Sequence, residues 1–207
     1  MNVVHSSDPD AWRRAAELLE TGSVVAVPTD TIYGVAAAVS HPRAVVRLFA
    51  LKARDASKPV AVLVSGAAQA GDIAQLSPAA VRLAERFWPG ALTLVLPRAE
   101  HFTVDLGGAG HTVGVRAPAH DRLIELCDAI GPLATTSANR SGHPTPPDGA
   151  SVAHELGGTE VALVIDDGSA PGELPSTVVR VDGNELTVLR EGPVGTADLQ
   201  AAVADVI

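Results

Sequence analysis

Residues 25–63 read VAVPTDTIYGVAAAVSHPRAVVRLFALKARDASKPVAVL, and this stretch decides the fold. Short apolar runs at its two ends, over Val24–Val27 and residues 60–64, are typical of buried strands. Pro28 ends the first strand because proline has no N–H to donate to a neighbouring strand. A polar turn follows, and after it the sequence predicts a helix over residues 42–51. Strand, polar turn and helix in this order predict an α/β protein with a ligand site at the carboxyl end of the strand.

Three cations, Lys52, Arg54 and Lys58, follow the predicted helix. Cations this close together, opposite a polar turn, suit a polyanion such as a nucleoside triphosphate. Basic residues at the end of a helix also interact favourably with its macrodipole, and hydroxyl-rich turns are common. Neither feature alone therefore indicates a ligand.

Together, the two features resemble the YrdC-type threonylcarbamoyl-AMP synthase family. Its opening motif is Pro-Thr-(Asp/Glu)-Thr-x-Tyr-Gly followed by Lys-x-Arg, which correspond here to residues 28–34 and to Lys52-Ala53-Arg54. The family adds a later Ser-x-Asn, and Ser137-Ala138-Asn139 follows a predicted strand. A lone Ser-Ala-Asn is more often an ordinary turn. Agreement at all four of Lys52, Arg54, Ser137 and Asn139, in two distant segments, favours the functional interpretation.

The resemblance implies three groups of site residues. The catalytic group is Lys52, Arg54, Ser137 and Asn139. The ATP-binding group is Arg54, Lys58, Thr112, Ser137, Thr145 and Arg190. The threonine-binding group is Thr31, Arg116, Thr135 and Ser176, with Arg116 as the clamp on the carboxylate. Without the resemblance, Arg116 would be interpreted as a strand-end arginine paired with an acid such as Asp121, and Arg190 as a cation at the end of a hairpin.

Three positions depart from the family pattern. Leu63 stands where many relatives have histidine, Lys58 where many have asparagine, and Asp55 where proline is usual. Because the four catalytic matches are kept, these departures bear on substrate affinity more than on the reaction.

Length and composition predict one globular domain over residues 1–207. Longer members of the family that the chain resembles have an additional C-terminal domain, and we expect none here because the chain stops soon after the last predicted helix. Apolar residues make up 46% of the chain and charged residues 19%, which is typical of a folded domain. Only 3% of residues are aromatic, so the core must consist of valine, leucine, isoleucine and alanine. The predicted fold is a twisted mixed sheet with helices on its faces, similar to that of YrdC and of dihydroxybutanone phosphate synthase.

The rest of the chain alternates between the two kinds of element. Helices are predicted over residues 9–20, 78–87, 120–130 and 197–203, with weaker ones over 66–76 and around Val152. Strands are predicted over residues 36–39, 91–96, 113–115, 133–135, 161–165, 176–181 and 186–189. Asp182-Gly183 predicts a hairpin, Ser7-Asp8-Pro9 a cap for the first helix, and Thr196 a cap for the last.

Several classes of protein are disfavoured. The net charge of −9 speaks against a nucleic-acid binder, which usually has a basic surface. The single cysteine, Cys127, excludes an internal disulfide, and no zinc motif or P-loop is present. No signal peptide and no apolar run near ~20 residues is seen, so we expect a cytoplasmic, soluble protein.

The resemblance implies that the protein joins L-threonine, bicarbonate and ATP into L-threonylcarbamoyladenylate and releases pyrophosphate. Mg²⁺ is expected with the ATP, although the sequence identifies no metal ligands. The activated group would pass through a separate transferase complex to the adenosine next to the tRNA anticodon.

Two rival functions stay open. One is an RNA-binding module of the same fold, since the family is also associated with double-stranded RNA; the acidic charge argues against it. The other is dihydroxybutanone phosphate synthase, which would need an acidic cluster for a divalent metal. The polar turn supplies only Asp30.

Overall fold

The computed structural model describes residues 1–52, 58–108, 110–172 and 174–204, and within these ranges it contains ten strands and seven helices. The strands are β1 Asn2–His5, β2 Val24–Val27, β3 Gly34–Ala38, β4 Ala61–Leu63, β5 Leu92–Pro97, β6 Thr112–Arg116, β7 Leu133–Ser137, β8 Val161–Asp166, β9 Thr177–Asp182 and β10 Glu185–Arg190. The helices are α1 Ala11–Glu20, α2 Pro42–Lys52, α3 Ala67–Gly71, α4 Pro78–Phe87, α5 Asp121–Ile130, α6 Gly149–Glu155 and α7 Thr196–Val203.

All ten strands form one sheet, in the order β1-β8-β2-β3-β7-β4-β6-β5-β9-β10. The pairs β1–β8, β8–β2, β4–β6 and β5–β9 are parallel, and the other five pairs are antiparallel. The predicted mixed sheet is therefore confirmed. The hairpin predicted at Asp182-Gly183 is also confirmed, because β9 and β10 pair on either side of it.

One face of the sheet is covered along its length by helices. Helices α2, α3, α4, α6 and α7 contribute to a single hydrophobic cluster with alternate residues of the strands. In β5, for example, Leu92, Leu94 and Leu96 all belong to this cluster. The alternation follows from strand geometry, in which successive side chains point to opposite faces.

The opposite face is divided into two halves. Helices α1 and α5 pack on its first half, which we call the covered half, against residues such as Val25, Ala36 and Leu163. In the described chain, the hydrophobic cluster under these helices reaches Leu63 of β4 and includes no residue of β6, β5 or β9. We call the part of this face on β4, β6, β5 and β9, with the adjoining ends of β3 and β7, the open half.

Three details of the N- and C-terminal regions differ from the sequence predictions. Strand β1 was not predicted. Helix α1 begins at Ala11, two residues later than predicted, because the carboxylate of Asp8 accepts a hydrogen bond from the backbone of Asp10 in a turn. Thr196 is the first residue of α7 and not its cap, which is Gly195. In contrast, Ser77 caps α4 by accepting a hydrogen bond from the backbone of Ala80.

Two further properties bear on the kind of protein. Cys127 lies in α5, as predicted, and is buried. None of the helices in the described ranges combines the length and apolar character that crossing a membrane would require.

Candidate functional site

The open half of the sheet forms the floor of a cavity of about 780 Å³. This volume lies within the usual range for small-molecule sites. The floor consists largely of residues at alternate positions along six strands: Gly34, Ala61, Leu63, Thr93, Val95, Thr112, Gly114, Arg116, Thr135, Ser137 and Val178. The cavity is thus built mainly on a face of the sheet, and the polar turn after β2 supplies one wall. The prediction of a site at the carboxyl end of a strand describes only that wall.

The polar turn is held by the hydroxyl of Thr29. This hydroxyl donates to the carbonyl of Ile32 (2.7 Å) and accepts from the backbone N–H groups of Thr31 and Ile32. Since Thr29 has already used its one proton, Thr31 must be the donor in the 3.0 Å contact between the two hydroxyls. Both threonines are buried, so these hydrogen bonds are shielded from water.

Arg116 connects this turn to β6. Its guanidinium donates to the carboxylate of Asp30 (2.5 Å), to the hydroxyl of Thr31 (2.8 Å) and to the carbonyl of Gly90 (2.9 Å). Only 6% of Arg116 is exposed. Burial lowers the pKa of the Arg116 guanidinium, while the charge of Asp30 opposes that shift. The acid that pairs with Arg116 is therefore Asp30 in the turn. The alternative pairing with Asp121, considered from the sequence, is wrong.

The glycine that ends the motif allows close packing of two strands. A Cβ atom on Gly34 would lie 2.8 Å from the Cγ2 atom of Thr135 on β7, which is closer than real contacts allow. Thr135 donates its hydroxyl hydrogen to the carbonyl of Leu133 (3.1 Å), which leaves its methyl group beside Gly34. Glycine is required here because any side chain would displace Thr135 from the cavity wall.

A second set of polar groups lies at the far end of the floor. The hydroxyls of Thr93 on β5 and Ser176, next to β9, lie 2.8 Å apart, and both residues are buried. Arg190 donates to the carbonyl of Ser176 (2.8 Å) and to its hydroxyl (3.2 Å). A register shift between Val188 and Arg190 interrupts the regular pairing of β10 directly before this arginine.

Two segments border the cavity, residues 143–147 along their whole length and residues 168–172 through Ala170 and Gly172, and we call them the rim. They are joined by a hydrogen bond from the backbone of Ala170 to the carbonyl of Pro147 (2.7 Å). Tyr33 of the motif donates its hydroxyl hydrogen to the carbonyl of Gly168 (2.7 Å) and accepts from the backbone of Asp167 (2.9 Å). Burial raises the pKa of the Tyr33 hydroxyl to about 12. The tyrosine of the motif therefore supports the rim.

Most of the predicted site residues lie in this one cavity. Its lining includes Thr31, Thr112, Arg116, Thr135, Ser137, Thr145, Ser176 and Arg190. Within the described part of the chain, it includes neither Asn139 nor Lys58. The Asn139 amide donates to the carbonyls of Arg140 (3.1 Å) and His143, at the start of the rim, and Lys58 is exposed.

The two remaining predicted residues cannot be placed. Lys52 is the last residue of α2, but its side chain lies outside the described part of the structure, and so does all of Arg54.

Sequence reasoning missed Thr93. A signal was present, because Thr93 is the one polar residue within the apolar run 91–96, and a polar residue inside a buried strand needs a partner or a ligand. Its position in the cavity depends on the pairing of β5 with β6 and with β9. Because β9 lies far from β5 along the chain, the sequence alone does not show that these two strands are neighbours.

Comparisons with known proteins identify the family of the chain. Residues 17–192 match the sequence model of the Sua5/YciO/YrdC family, which is described as "Telomere recombination". The chain belongs to this family. A Mycobacterium tuberculosis protein that is provisionally named threonylcarbamoyl-AMP synthase is 40% identical over 195 residues, which are 92% of this chain and 89% of that protein. The threonylcarbamoyl-AMP synthase of Pyrococcus abyssi is 36% identical over 198 residues, which are 94% of this chain and 57% of that protein.

Solved structures give the same result. The crystal structure of P. abyssi Sua5 complexed with L-threonine superposes with a TM-score of 0.88 at 34% identity, over 98% of this chain and 60% of that chain. The crystal structure of Escherichia coli YciO has a TM-score of 0.85 over 96% of this chain and 98% of that chain. Its identity is 23%, so it supports the fold alone.

Proposed function

We propose that the cavity binds L-threonine, bicarbonate and ATP, and that the protein joins them into L-threonylcarbamoyladenylate with release of pyrophosphate. The observation that carries this proposal is the buried arrangement of Arg116, Asp30 and Thr31, which shares one cavity with Thr112, Ser137 and Arg190. The first set suits an amino acid, and the second suits a phosphorylated ligand. Membership of the family and the name shared by its relatives support the synthase over an RNA-binding module.

The amino-acid end of the cavity has the right donors and acceptors. Arg116 has five N–H groups, of which three are donated to protein oxygens, so two can bind the carboxylate of an amino acid. Thr31 donates its own proton to Thr29 and accepts from Arg116, so it can only accept further hydrogen bonds. An ammonium group is a donor without lone pairs, and it therefore fits beside Thr31.

The reaction needs positioning and charge stabilisation more than a strong base. The amine of threonine adds to bicarbonate, water leaves, and a carbamate forms. An oxygen of the carbamate then attacks the α-phosphorus of ATP, and the bond to pyrophosphate breaks. Negative charge increases on the phosphoryl oxygens, so preorganised cations lower the barrier. We assign this role to Lys52 and Arg54, and the orientation of the phosphate or the carbamate to Ser137 and Asn139.

ATP would use the remaining polar residues of the cavity. Thr112, Ser137 and Thr145 offer hydroxyl donors, Arg190 offers a guanidinium from beside Ser176, and Lys58 adds a cation outside the lining. Mg²⁺ enters with ATP, as part of the substrate. Among the described lining residues none is a carboxylate, so we assign no residue as a ligand of the ion.

The product is expected to leave for a separate transferase complex that modifies tRNA, in the cytoplasm. The chain itself should bind tRNA weakly, because its net charge is −9. A salt-resistant, submicromolar complex with tRNA alone would contradict this part of the proposal.

The experiment that tests the proposal measures pyrophosphate release by the purified chain from ATP. Release should require both threonine and bicarbonate, and the adenylate should be detected by rapid mass spectrometry because acyl phosphates hydrolyse in water. The Arg116→Gln variant should lose the threonine-dependent release of pyrophosphate. Release at the same rate without threonine or without bicarbonate would overturn the proposal.

A further inference from the structure

Contacts with an ammonium and a carboxylate are common to all amino acids, so Arg116 and Thr31 cannot select threonine. We infer that Thr93, together with Ser176, binds the β-hydroxyl of the substrate and determines the preference for threonine. This inference rests on the proposed function and adds a specificity residue to it. We call Thr93 and Ser176 the hydroxyl pair.

The position of Thr93 relative to Arg116 is fixed by strand pairing. β5 and β6 are antiparallel, with Leu94 opposite Val115 and Val95 opposite Gly114. The next position of this register places Thr93 opposite Arg116. Side chains at directly opposite positions have Cβ atoms about 4.5–5.5 Å apart. An amino acid whose carboxylate is bound by Arg116 therefore has its side chain within reach of Thr93.

The orientation of Thr93 is also fixed. A Cβ atom on Gly114 would lie 3.5 Å from the Cγ2 atom of Thr93, so the methyl group of Thr93 faces β6. Its hydroxyl faces the other way and lies 2.8 Å from the hydroxyl of Ser176. Both residues line the cavity, and they are only 5% and 4% exposed. The hydroxyl pair is thus buried in the cavity wall and its two members are hydrogen-bonded to each other.

The hydroxyl pair has a proton available to bind another hydroxyl. Two hydroxyls have two protons, and one proton is used in the bond between them. Arg190 donates to Ser176 and so uses a lone pair and no proton. Within the described residues, the second proton has no protein acceptor, whichever hydroxyl carries it. A buried donor with a remaining lone pair beside it matches the β-hydroxyl of threonine, which can both accept and donate.

The neighbouring residues match the rest of the substrate side chain. Val95 and Val178 follow Thr93 and Ser176 at the next positions on the same face of the sheet, and both line the cavity. A hydroxyl pair beside two valines suits a side chain with one hydroxyl and one methyl group. Serine would lose the apolar contact, which is worth about 10–200-fold, whereas removal of the hydroxyl would leave buried polar groups unpaired and cost more.

The test compares threonine with 2-aminobutyrate, which is threonine without its hydroxyl. For the wild-type chain, kcat/KM for adenylate formation should favour threonine by about 10² or more. Thr93→Val keeps the size and the methyl group but removes the hydroxyl. It should lower kcat/KM for threonine by about 10–100-fold and leave kcat/KM for 2-aminobutyrate nearly unchanged. The ratio of the two kcat/KM values, threonine over 2-aminobutyrate, should therefore fall by the same factor. Thr93→Ser keeps the hydroxyl and should keep the ratio.

Two further variants complete the test. Thr187→Val removes a hydroxyl from the exposed strand β10 and should leave both rates unchanged. Ser176→Ala should reduce the ratio as Thr93→Val does, and it provides the test if Thr93→Val fails to fold. If the wild type is active and both hydroxyl-pair variants keep the ratio, the inference is wrong although the proposed function stands. If the wild type shows no threonine-dependent pyrophosphate release, the proposed function itself has failed.

Discussion

The covered half and the open half belong to one face of one sheet, but their side chains differ. The covered half presents valine, alanine, leucine and isoleucine to α1 and α5, and these residues are fully or almost fully buried. The open half presents Thr93, Gly114 and Arg116 at the equivalent alternate positions. The same strands contribute apolar residues to the opposite face, so the difference is confined to one side of each strand.

This difference shows how a site can be kept open on a folded sheet. Apolar residues on the covered half gain free energy by excluding water under two helices. On the open half, small and polar residues leave space, and their polar atoms are bonded to each other: Arg116 to Asp30 and Thr31, and Thr93 to Ser176. The polar groups of the open half are therefore positioned to bind a ligand, while the covered half presents only apolar residues to its helices.

The largest effect is expected at Arg116, because both activity and the free energy of unfolding depend on this residue. Arg116→Leu removes the proposed carboxylate contact and leaves Asp30, whose side chain is only 13% exposed, without its partner. Breaking a buried ion pair costs about 3–5 kcal/mol of unfolding free energy, and activity should fall below detection. Urea denaturation and pyrophosphate release measure the two effects. The double variant Asp30→Asn with Arg116→Gln should regain stability but stay inactive; activity in the double variant would contradict the assignment of Arg116.

A change in the covered half should affect stability alone. Leu163 is fully buried under the helices of this half. Leu163→Ala should cost about 2–5 kcal/mol of unfolding free energy, because it removes apolar contacts and leaves a cavity. The value of kcat/KM per folded molecule should stay unchanged at a temperature where the variant is folded. A proportionate loss of kcat/KM would mean that the two halves are mechanically coupled.

Substitution of the proposed catalytic cations should lower activity and leave stability nearly unchanged. Lys52→Ala or Arg54→Ala is expected to reduce adenylate formation by about 10²–10³-fold, since each would remove a preorganised charge from the transition state. The thermal midpoint should hardly change, because each substitution removes a charge at or beyond the end of α2. Arg43→Ala, near the start of α2 and exposed, is the matched control and should have full activity. Near-wild-type rates in both cation variants would remove these residues from the mechanism.

Filling the open half should reduce activity without loss of stability. A Cβ atom on Gly114 would lie 3.5 Å from Thr93 and 3.8 Å from Ala61, which are ordinary contact distances. Gly114→Val is therefore compatible with the sheet, but its methyl groups would enter the cavity beside the hydroxyl pair. Displacement of the substrate by about 1 Å can cost about 10²-fold in rate. A stable variant with wild-type kcat/KM would show that the substrate does not approach this part of the floor.

The sequence predicted the parts of this site that follow one another along the chain. The motif at residues 28–34, the order of strands and helices after β1, and the mixed sheet were predicted, and the structure confirms the fold. It could not predict the floor, because a side chain on a strand can face either side of the sheet until its neighbours are known. Thr93 became visible as a site residue only through its pairing with β6 and β9. The Asp30 partner of Arg116 was missed because only the assembled sheet brings the turn after β2 next to the end of β6. A single domain over residues 1–207 stays a prediction.

The smallest effect concerns two buried groups that titrate in alkaline solution, one in each region. Burial raises the pKa of the Cys127 thiol, under the covered half, from about 9 to about 12. Burial also raises the pKa of Tyr33, which supports the rim, from about 10 to about 12. In each case the unfolded chain loses its proton first, so stability is full below the ordinary pKa and declines as the pH rises toward 12. The decline due to Cys127 should therefore begin near pH 9, and that due to Tyr33 near pH 10.

Two variants separate these contributions to the alkaline decline. Tyr33→Phe should cost about 1–3 kcal/mol at neutral pH, since the carbonyl of Gly168 and the N–H of Asp167 lose a shared partner. Because the chain has one tyrosine, Tyr33→Phe should also remove the whole tyrosine contribution above pH 10, whereas Cys127→Ala should flatten the curve from pH 9. Urea denaturation at pH 8, 9.5 and 11 measures both effects. If the curve for Tyr33→Phe runs parallel to that of the wild type up to pH 11, then Tyr33 is not held by the rim in its neutral form, and the open half is less fixed than its hydrogen bonds indicate.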